Sequence, residues 1–349
     1  MTALQAIIVQ MIEQDGPMPL DRYMALCLGH PTLGYYMTRD PFGAAGDFTT
    51  APEISQVFGE LLGVWCAQVW QSMGSPRRFA LVELGPGRGT LMADIVRVLS
   101  KNVACSKAAQ IHFVEMSEVL RRAQQSRVPQ ATWHSTTASL PALPTILIAN
   151  EFFDAIPIRQ FERKDGKMFE RCVGIVGSEL QVGLLPSARP LGNARDGIYE
   201  DSSVRDALAT QLGDHLAKMS GAALIIDYGQ MRRGSGDTLQ AMKNHAACAI
   251  TAHVGEADIT SHVDFENLAR GFVKGGAQLA GLLNQGEFLQ HMGLQQRTEM
   301  LTRHAEATTK SNLLSAASRL AHPDQMGHLF KVMAITGAGI PTPYPFGAT

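Results

Sequence analysis

Residues 79–90 read Phe79-Ala80-Leu81-Val82-Glu83-Leu84-Gly85-Pro86-Gly87-Arg88-Gly89-Thr90. A short apolar run stops at a loop with glycine at every second position, and an apolar helical pattern follows through Leu99. A run of that length bounded by glycine predicts a buried strand. Alternate glycines let the backbone turn sharply and come close to a ligand with no Cβ in the way. The helix behind them points free N–H groups and the positive end of its dipole at whatever lies over the loop.

Downstream, Ile111–Glu115 predicts a second strand, and Ser117 caps a helix through about Gln125. Ala131–His134 is a short third strand, and Thr145–Ala149 a buried fourth that ends at Asn150-Glu151. Strands alternating with helices specify a parallel, Rossmann-like α/β sheet. From Arg159 to Leu185 apolar and polar residues alternate, with turns at Asp165-Gly166 and Gly177-Ser178. That pattern predicts an inserted antiparallel hairpin or small sheet. Ala222–Asp227 returns to the apolar strand pattern, and 229–259 reads as irregular.

Upstream, Leu4, Ile7, Ile8, Met11 and Ile12 recur at helical spacing up to Asp15-Gly16-Pro17. A second helix is expected over Leu20–Leu28, a long loop over Gly29–Pro52, and a long helix over Ala51–Met73. The expected organisation is an N-terminal helical lid (1–75), the first part of the core (76–158), an inserted β-rich and helical segment (159–220), and the second part of the core with a C-terminal extension (221–349).

The chain has 349 residues, 45% of them hydrophobic and 18% charged, which supplies a sizeable core. A formal net charge of -2 disfavours non-specific nucleic-acid binding. The five cysteines are scattered with no C-x-x-C pair, which speaks against a disulfide framework or a structural zinc. The first basic residue is Arg22, and no apolar run has the roughly 18 residues that a membrane span needs. A cytoplasmic location with no membrane insertion is the expectation, or else a chain already in its final compartment, and the sequence leaves open whether the chain is a monomer or a homodimer.

Glycines spaced G-x-G-x-G, with Pro86 in the first gap, differ from the G-x-G-x-x-G of a dinucleotide loop. They suit the methionine part and ribose of S-adenosylmethionine better than a pyrophosphate, so Gly85, Gly87 and Gly89 are expected to bind that cofactor. Glu115 ends the second strand, where a carboxylate can accept from both ribose hydroxyls. Asn150-Glu151-Phe152-Phe153-Asp154 lies beyond the fourth strand, where polar groups face a transferable methyl; the same residues also suit a helix cap with first-turn acids. Gly46–Glu53 is a hydroxyl-rich helix start that could cap the helix or, with Thr50 on the cofactor, form a lid with His30, Tyr35 and Tyr36. The Asp258–Phe265 stretch is polar, and spacing alone gives it no chemical role.

At these residues the chain resembles the MidA family of class I methyltransferases, which includes the mitochondrial protein-arginine methyltransferase that assists respiratory complex I assembly. The resemblance spans almost the whole chain. It is carried by GHPTLGYY at Gly29, DPFGAAGDFTTAPEISQVFGE at Asp40, VELGPGRGTLMADI at Val82 and NEFFDAIPIRQF at Asn150. DYG at Asp227, GDTLQA at Gly236, GEADITSHVDF at Gly255 and Met326–Lys331 extend it. Val254 stands where the family has proline, and 174–216 matches poorly.

The resemblance implies a seven-stranded core, S-adenosylmethionine over Gly85–Gly89 with S-adenosylhomocysteine as product, and Glu115 on the ribose. It also implies a protein arginine as acceptor, on a partner such as a complex I-type subunit. A guanidinium is protonated at neutral pH and is a poor nucleophile. Paired carboxylates could hold two of its nitrogens and aim the third at the methyl. Glu151 and Asp154 are the first pair for that clamp, and Asp47 and Glu53 the second. The sulfonium supplies the electrophile, so no metal is required. A small-molecule methyltransferase and a cofactor-binding assembly factor with little turnover remain alternatives; the glycine spacing weakens a nicotinamide oxidoreductase.

Overall fold

A computed structural model describes residues 1–41, 49–190, 195–232, 234 and 236–347. We number the core strands in chain order: β1 (Phe79–Leu84), β2 (Ala109–Val114), β3 (Thr132–His134), β4 (Thr145–Asn150), β5 (Gly221–Gln230), β6 (Gln278–Asn284) and β7 (Phe330–Thr336). They lie in the order β6-β7-β5-β4-β1-β2-β3. β1 runs parallel to β2 and β4, β2 to β3, and β4 to β5. β7 is antiparallel to both β5 and β6. Every residue of β1, β4 and β7 is buried, so their sequences are mostly apolar, with Glu83 and Lys331 as buried charged exceptions. The order reverses between β1 and β4, so a crevice opens beyond their carboxyl ends.

One face of the sheet is covered by helices Gln56–Ser72 and Thr90–Leu99, whose Phe58, Trp65 and Ile95 pack on Leu81, Phe113 and Ile146. The other carries helices Ser203–Met219 and Phe265–Lys274, with Leu212, Leu216 and Phe272 against Val82, Leu147 and Ile225. A third core joins the first two helices (Ala3–Asp15 and Leu20–Gly29) to two antiparallel sheets. One of these has Arg159–Lys164, Lys167–Val176 and Glu179–Pro186 as its hairpins, edged by Met18–Pro19 and Gly197–Asp201. The 1–75 segment therefore splits: residues before Tyr36 build the third core, and the helix after Ser55 belongs to the main sheet.

The helix expected over Ala51–Met73 is two, Ala51–Ile54 and Gln56–Ser72. Ser55 is extended, with φ -157°, and its hydroxyl accepts from Val57 N–H at 3.2 Å. A serine that bonds its own backbone locally interrupts one helix and starts the next. The 29–52 loop contains a short helix, Tyr35–Thr38. The irregular 229–259 stretch holds a small sheet of Gln240–Lys243, Ala246–Cys248 and Asp258–Thr260. These strands are too short to show alternation.

Candidate functional site

Gly85, Gly87 and Gly89 have φ of +57°, +52° and +77°. A Cβ on Gly85 would lie 2.8 Å from Phe152 Cδ2, so this close packing admits only glycine. Gly89 caps helix Thr90–Leu99 with no side-chain bond, which leaves the helix N–H groups facing the crevice. Above the loop lies a cavity of about 550 Å³, walled by Gly85, Gly87, Glu115, Ser135–Thr137, Glu151 and Phe152. Leu28, Tyr36 and Met37 roof it from the N-terminal segment. An annex of about 40 Å³ shares Gly85, Gly87 and Glu151 with it and reaches Thr50, Glu53, Glu83 and Asn150.

Of the lid residues read from sequence, Tyr36 is on the wall. Tyr35 is wholly buried in the third core, and the His30 imidazole accepts from Thr32 N–H. Asp47 lies outside the described residues. Thr50 sits at the start of helix Ala51–Ile54, and its side chain makes no capping bond.

Glu115 is buried, its Oε1 accepting from Ser117 N–H at 2.8 Å and its Oε2 from Gln124 Nε2 at 3.2 Å. Burial raises its pKa, and those two bonds pull back. Each carboxylate oxygen keeps a lone pair for a further donor.

The segment after β4 is a turn, not a helix, so Glu151 and Asp154 are not first-turn acids. Glu151 itself has φ +50°, an uncommon conformation for a residue with a Cβ. Its Oε1 accepts from Ala51 N–H and from Asn150 Nδ2, each at 3.0 Å. Burial, aided by the Asp154 charge, pushes Glu151 up to about 7. Asp154 does not stand beside it on the wall. Asp154 is buried, lines neither space, and its Oδ2 accepts from Tyr228 Oη at 2.8 Å. The two-carboxylate clamp of Glu151 with Asp154 is therefore not what this geometry builds.

Several polar residues of the site went unread in the sequence. Asp227, wholly buried on β5, accepts from Phe153 N–H at 3.0 Å and Asp154 N–H at 3.2 Å, and so shapes the turn. Arg205, also buried, spreads its guanidinium over the carbonyls of Asp154, Ile156, Ser261 and His262 and the Ser261 hydroxyl. Glu83 on β1 is buried with Oε2 unpartnered among the described residues, and burial drives its pKa far up. Its signal was visible: an acid inside an otherwise apolar strand. Nothing local marks Arg205, whose partners lie 49 or more residues away.

Among the described residues, Glu83 Oε2 and Asn150 Oδ1 are buried with no hydrogen-bond partner, and both residues line the annex. Such atoms are costly unless a ligand supplies N–H groups. The ammonium end of an amino-acid-bearing cofactor meets that need, and the larger cavity offers a carboxylate and an apolar wall for a nucleoside.

The family described as S-adenosyl-L-methionine-dependent methyltransferase matches residues 61–283. The protein arginine methyltransferase NDUFAF7 homolog of Drosophila melanogaster, mitochondrial, is 35% identical over 93% of this chain and 82% of its own length. The NDUFAF7 protein of Homo sapiens, also mitochondrial, is 32% identical over 93% of this chain and 81% of its own. A Burkholderia thailandensis structure bound to S-adenosyl-homocysteine superposes with a TM-score of 0.83 at 27% identity, covering 96% of this chain and 92% of that one. The mitochondrial relatives overturn the cytoplasmic expectation. That expectation rested on scattered cysteines, a start without basic residues and no apolar run of membrane length, none of which separates the cytoplasm from another reducing compartment. With the glycine cradle, the paired cavities and these matches agreeing, the chain belongs to the MidA family of S-adenosylmethionine-dependent methyltransferases.

Proposed function

We propose that the chain methylates an arginine of a protein substrate, and that Glu151 holds the guanidinium and takes its proton. One observation carries this reading: Glu151 lies where the two spaces meet, with one oxygen spent and the other open. Oε1 is fixed by Ala51 and Asn150, so Oε2 is directed to an incoming donor. A carboxyl pushed up to about 7 is poised to accept a proton near neutrality. The names of the fly and human relatives support arginine as the acceptor. A subunit of a complex I-type assembly is the carrier we propose.

In this reading the backbone of Gly85, Gly87 and Gly89 lies against the cofactor. Glu115 accepts from the ribose hydroxyls, and Thr50, Glu83 and Asn150 hold the amino-acid end. The bound cofactor supplies the methyl electrophile. Glu151 Oε2 pairs with the guanidinium and aims a free nitrogen at the methyl, where orientation governs the rate. Glu151 takes a proton from the nitrogen it holds, so the guanidinium gives up its charge and the nitrogen left free is the nucleophile toward the methyl that the bound cofactor supplies. Asp154 acts from behind, keeping Glu151 basic. Tyr36 and Met37 shut out water.

The test is to incubate the purified protein with isotope-labelled S-adenosylmethionine and an extract from cells lacking the gene, then map the label by mass spectrometry. Label on arginine of a protein, lost in Glu151→Gln, is expected. Label only on lysine or on small molecules overturns the proposal.

A further inference from the structure

Ser135, Thr136 and Thr137 wall the nucleoside side of the cavity, next to Glu115. Behind them stand two histidines that line no part of it: His112 on β2 and His134 at the end of β3. Their rings meet with His112 Nδ1 3.0 Å from His134 Nε2. His134 Nδ1 lies 2.9 Å from Ser139 Oγ, and Ser139 Oγ donates to the Thr136 carbonyl at 3.1 Å.

The proton positions in this chain follow from one buried atom. His112 Nε2 is buried with no partner among the described residues. A buried N–H without an acceptor is rarer and costlier than a bare lone pair. The proton of neutral His112 therefore sits on Nδ1 and is donated to His134 Nε2. His134, accepting there, carries its own proton on Nδ1 and donates to Ser139, whose hydroxyl proton is left for Thr136. The direction of every bond is fixed from the buried end outward.

We propose that His112 and His134 are positioning residues for cofactor binding: a one-way chain of neutral imidazoles that clips the Thr136 backbone against the nucleoside end of the cavity. Burial holds both rings neutral, His112 most strongly, at about 4, with the neighbouring His134 adding to the effect. Arg121, which bonds Ser135 Oγ at 2.9 Å and Glu118, is the cation facing His134 and further disfavours its charged form. Helix Ser203–Met219 adds Gln211, which accepts from Thr137 Oγ1 at 3.3 Å. The inference concerns the cofactor alone and stands whichever acceptor is methylated.

Two substitutions separate the chain from simple packing. His134→Asn places an amide donor where Nδ1–H reaches Ser139. His134→Gln puts its amide oxygen at Nε2, where it accepts from His112, and leaves Ser139 without its donor. Calorimetric titration with S-adenosylhomocysteine should give a loss of about two- to tenfold for His134→Gln, the range of one neutral hydrogen bond, and a smaller loss for His134→Asn, which keeps the Ser139 bond and gives up only the one from His112. Nitrogen NMR of the unsubstituted protein should show Nδ1–H tautomers for both rings. Equal affinities for the two variants, or an Nε2–H tautomer on either ring, overturn the proposal. The NMR result decides it even where a variant fails to fold.

Discussion

Replacing Glu151 by glutamine removes one charge and almost no volume. The amide oxygen can still accept from Ala51 N–H and Asn150 Nδ2, the two donors now at 3.0 Å, so the turn keeps its bonds. What is lost is the pairing with a guanidinium, about 1.5–3 kcal/mol for a hydrogen bond to a charged group. The proton acceptor is lost as well, an effect of about 10²–10⁴-fold in rate. Methyl transfer should fall at least about 100-fold while S-adenosylhomocysteine affinity stays within about threefold. In the parent protein turnover should rise with pH through about 7, and the variant should lack that rise. Stability moves the other way. Glu151 titrates near 7 when folded against 4.5 ordinarily, so the folded state holds the extra proton between those values. Its ionisation therefore costs stability as pH rises through that window, by about 3 kcal/mol at most above 7, and costs nothing below 4.5. Glutamine removes the cost, so the variant should melt no lower than the parent at alkaline pH, with any advantage gone in acid. Wild-type turnover with the pH rise intact would refute the assignment.

Gly87→Val places a branched side chain at φ +52° on the wall of both spaces. S-adenosylhomocysteine binding should be lost, with about 1–3 kcal/mol of backbone strain in the melt; unchanged affinity in calorimetry would remove the loop from the cofactor. Glu115→Ala should weaken binding by about 1.5–3 kcal/mol and loosen Ser117, with titration and melting read together; full affinity would place the ribose elsewhere. Arg205→Met strips the donor from the carbonyls of Asp154, Ile156, Ser261 and His262 and should cost at least about 1–3 kcal/mol in urea unfolding. An unchanged midpoint would show that the guanidinium holds nothing together.

The parallel sheet was legible because β1, β4 and the first half of β5 are apolar runs punctuated by glycine or turn residues, signals carried within a dozen residues. The glycine spacing did the same for the cofactor. The Glu179–Lys167 hairpin showed through its alternation and its Gly177 turn. The break at Ser55 was not legible, since a serine in an apolar helical pattern usually faces outward; here it caps instead. The 240–260 sheet was hidden because Gln240–Lys243 and Asp258–Thr260 have three or four residues each and are specified by each other rather than by pattern. The lid was read in part. The helical period of Leu20–Leu28 predicts the helix, but not that Leu28 and, beyond it, Tyr36 would roof the cavity while Tyr35 turned into a core.

The acids of the site show where local reading runs out and electrostatics begins. Glu151 and Asp154 look like a pair because three residues separate them, yet the turn after β4 sends one to the wall and the other beneath Tyr228. Asp227, from the next strand, joins them; burial raises its pKa, and the Asp154 and Glu151 charges raise it further. Buried Arg205 spends its donors on main-chain carbonyls and the Ser261 hydroxyl, and among the described residues it bonds no carboxylate. Burial favours the neutral forms of both aspartates and the Arg205 charge opposes that, so the acids behind the turn are partly offset, while Glu151 is the one that faces the cavity. The proposed reaction brings two cations together there, a sulfonium and a guanidinium. At about 4 Å and an effective dielectric of about 20 their repulsion is about 4 kcal/mol, enough to slow encounter by roughly a thousandfold. One ionised carboxylate at a similar distance offsets that term. Glu151, held by Asn150 and Ala51 and kept basic by Asp154, is the group placed to supply it.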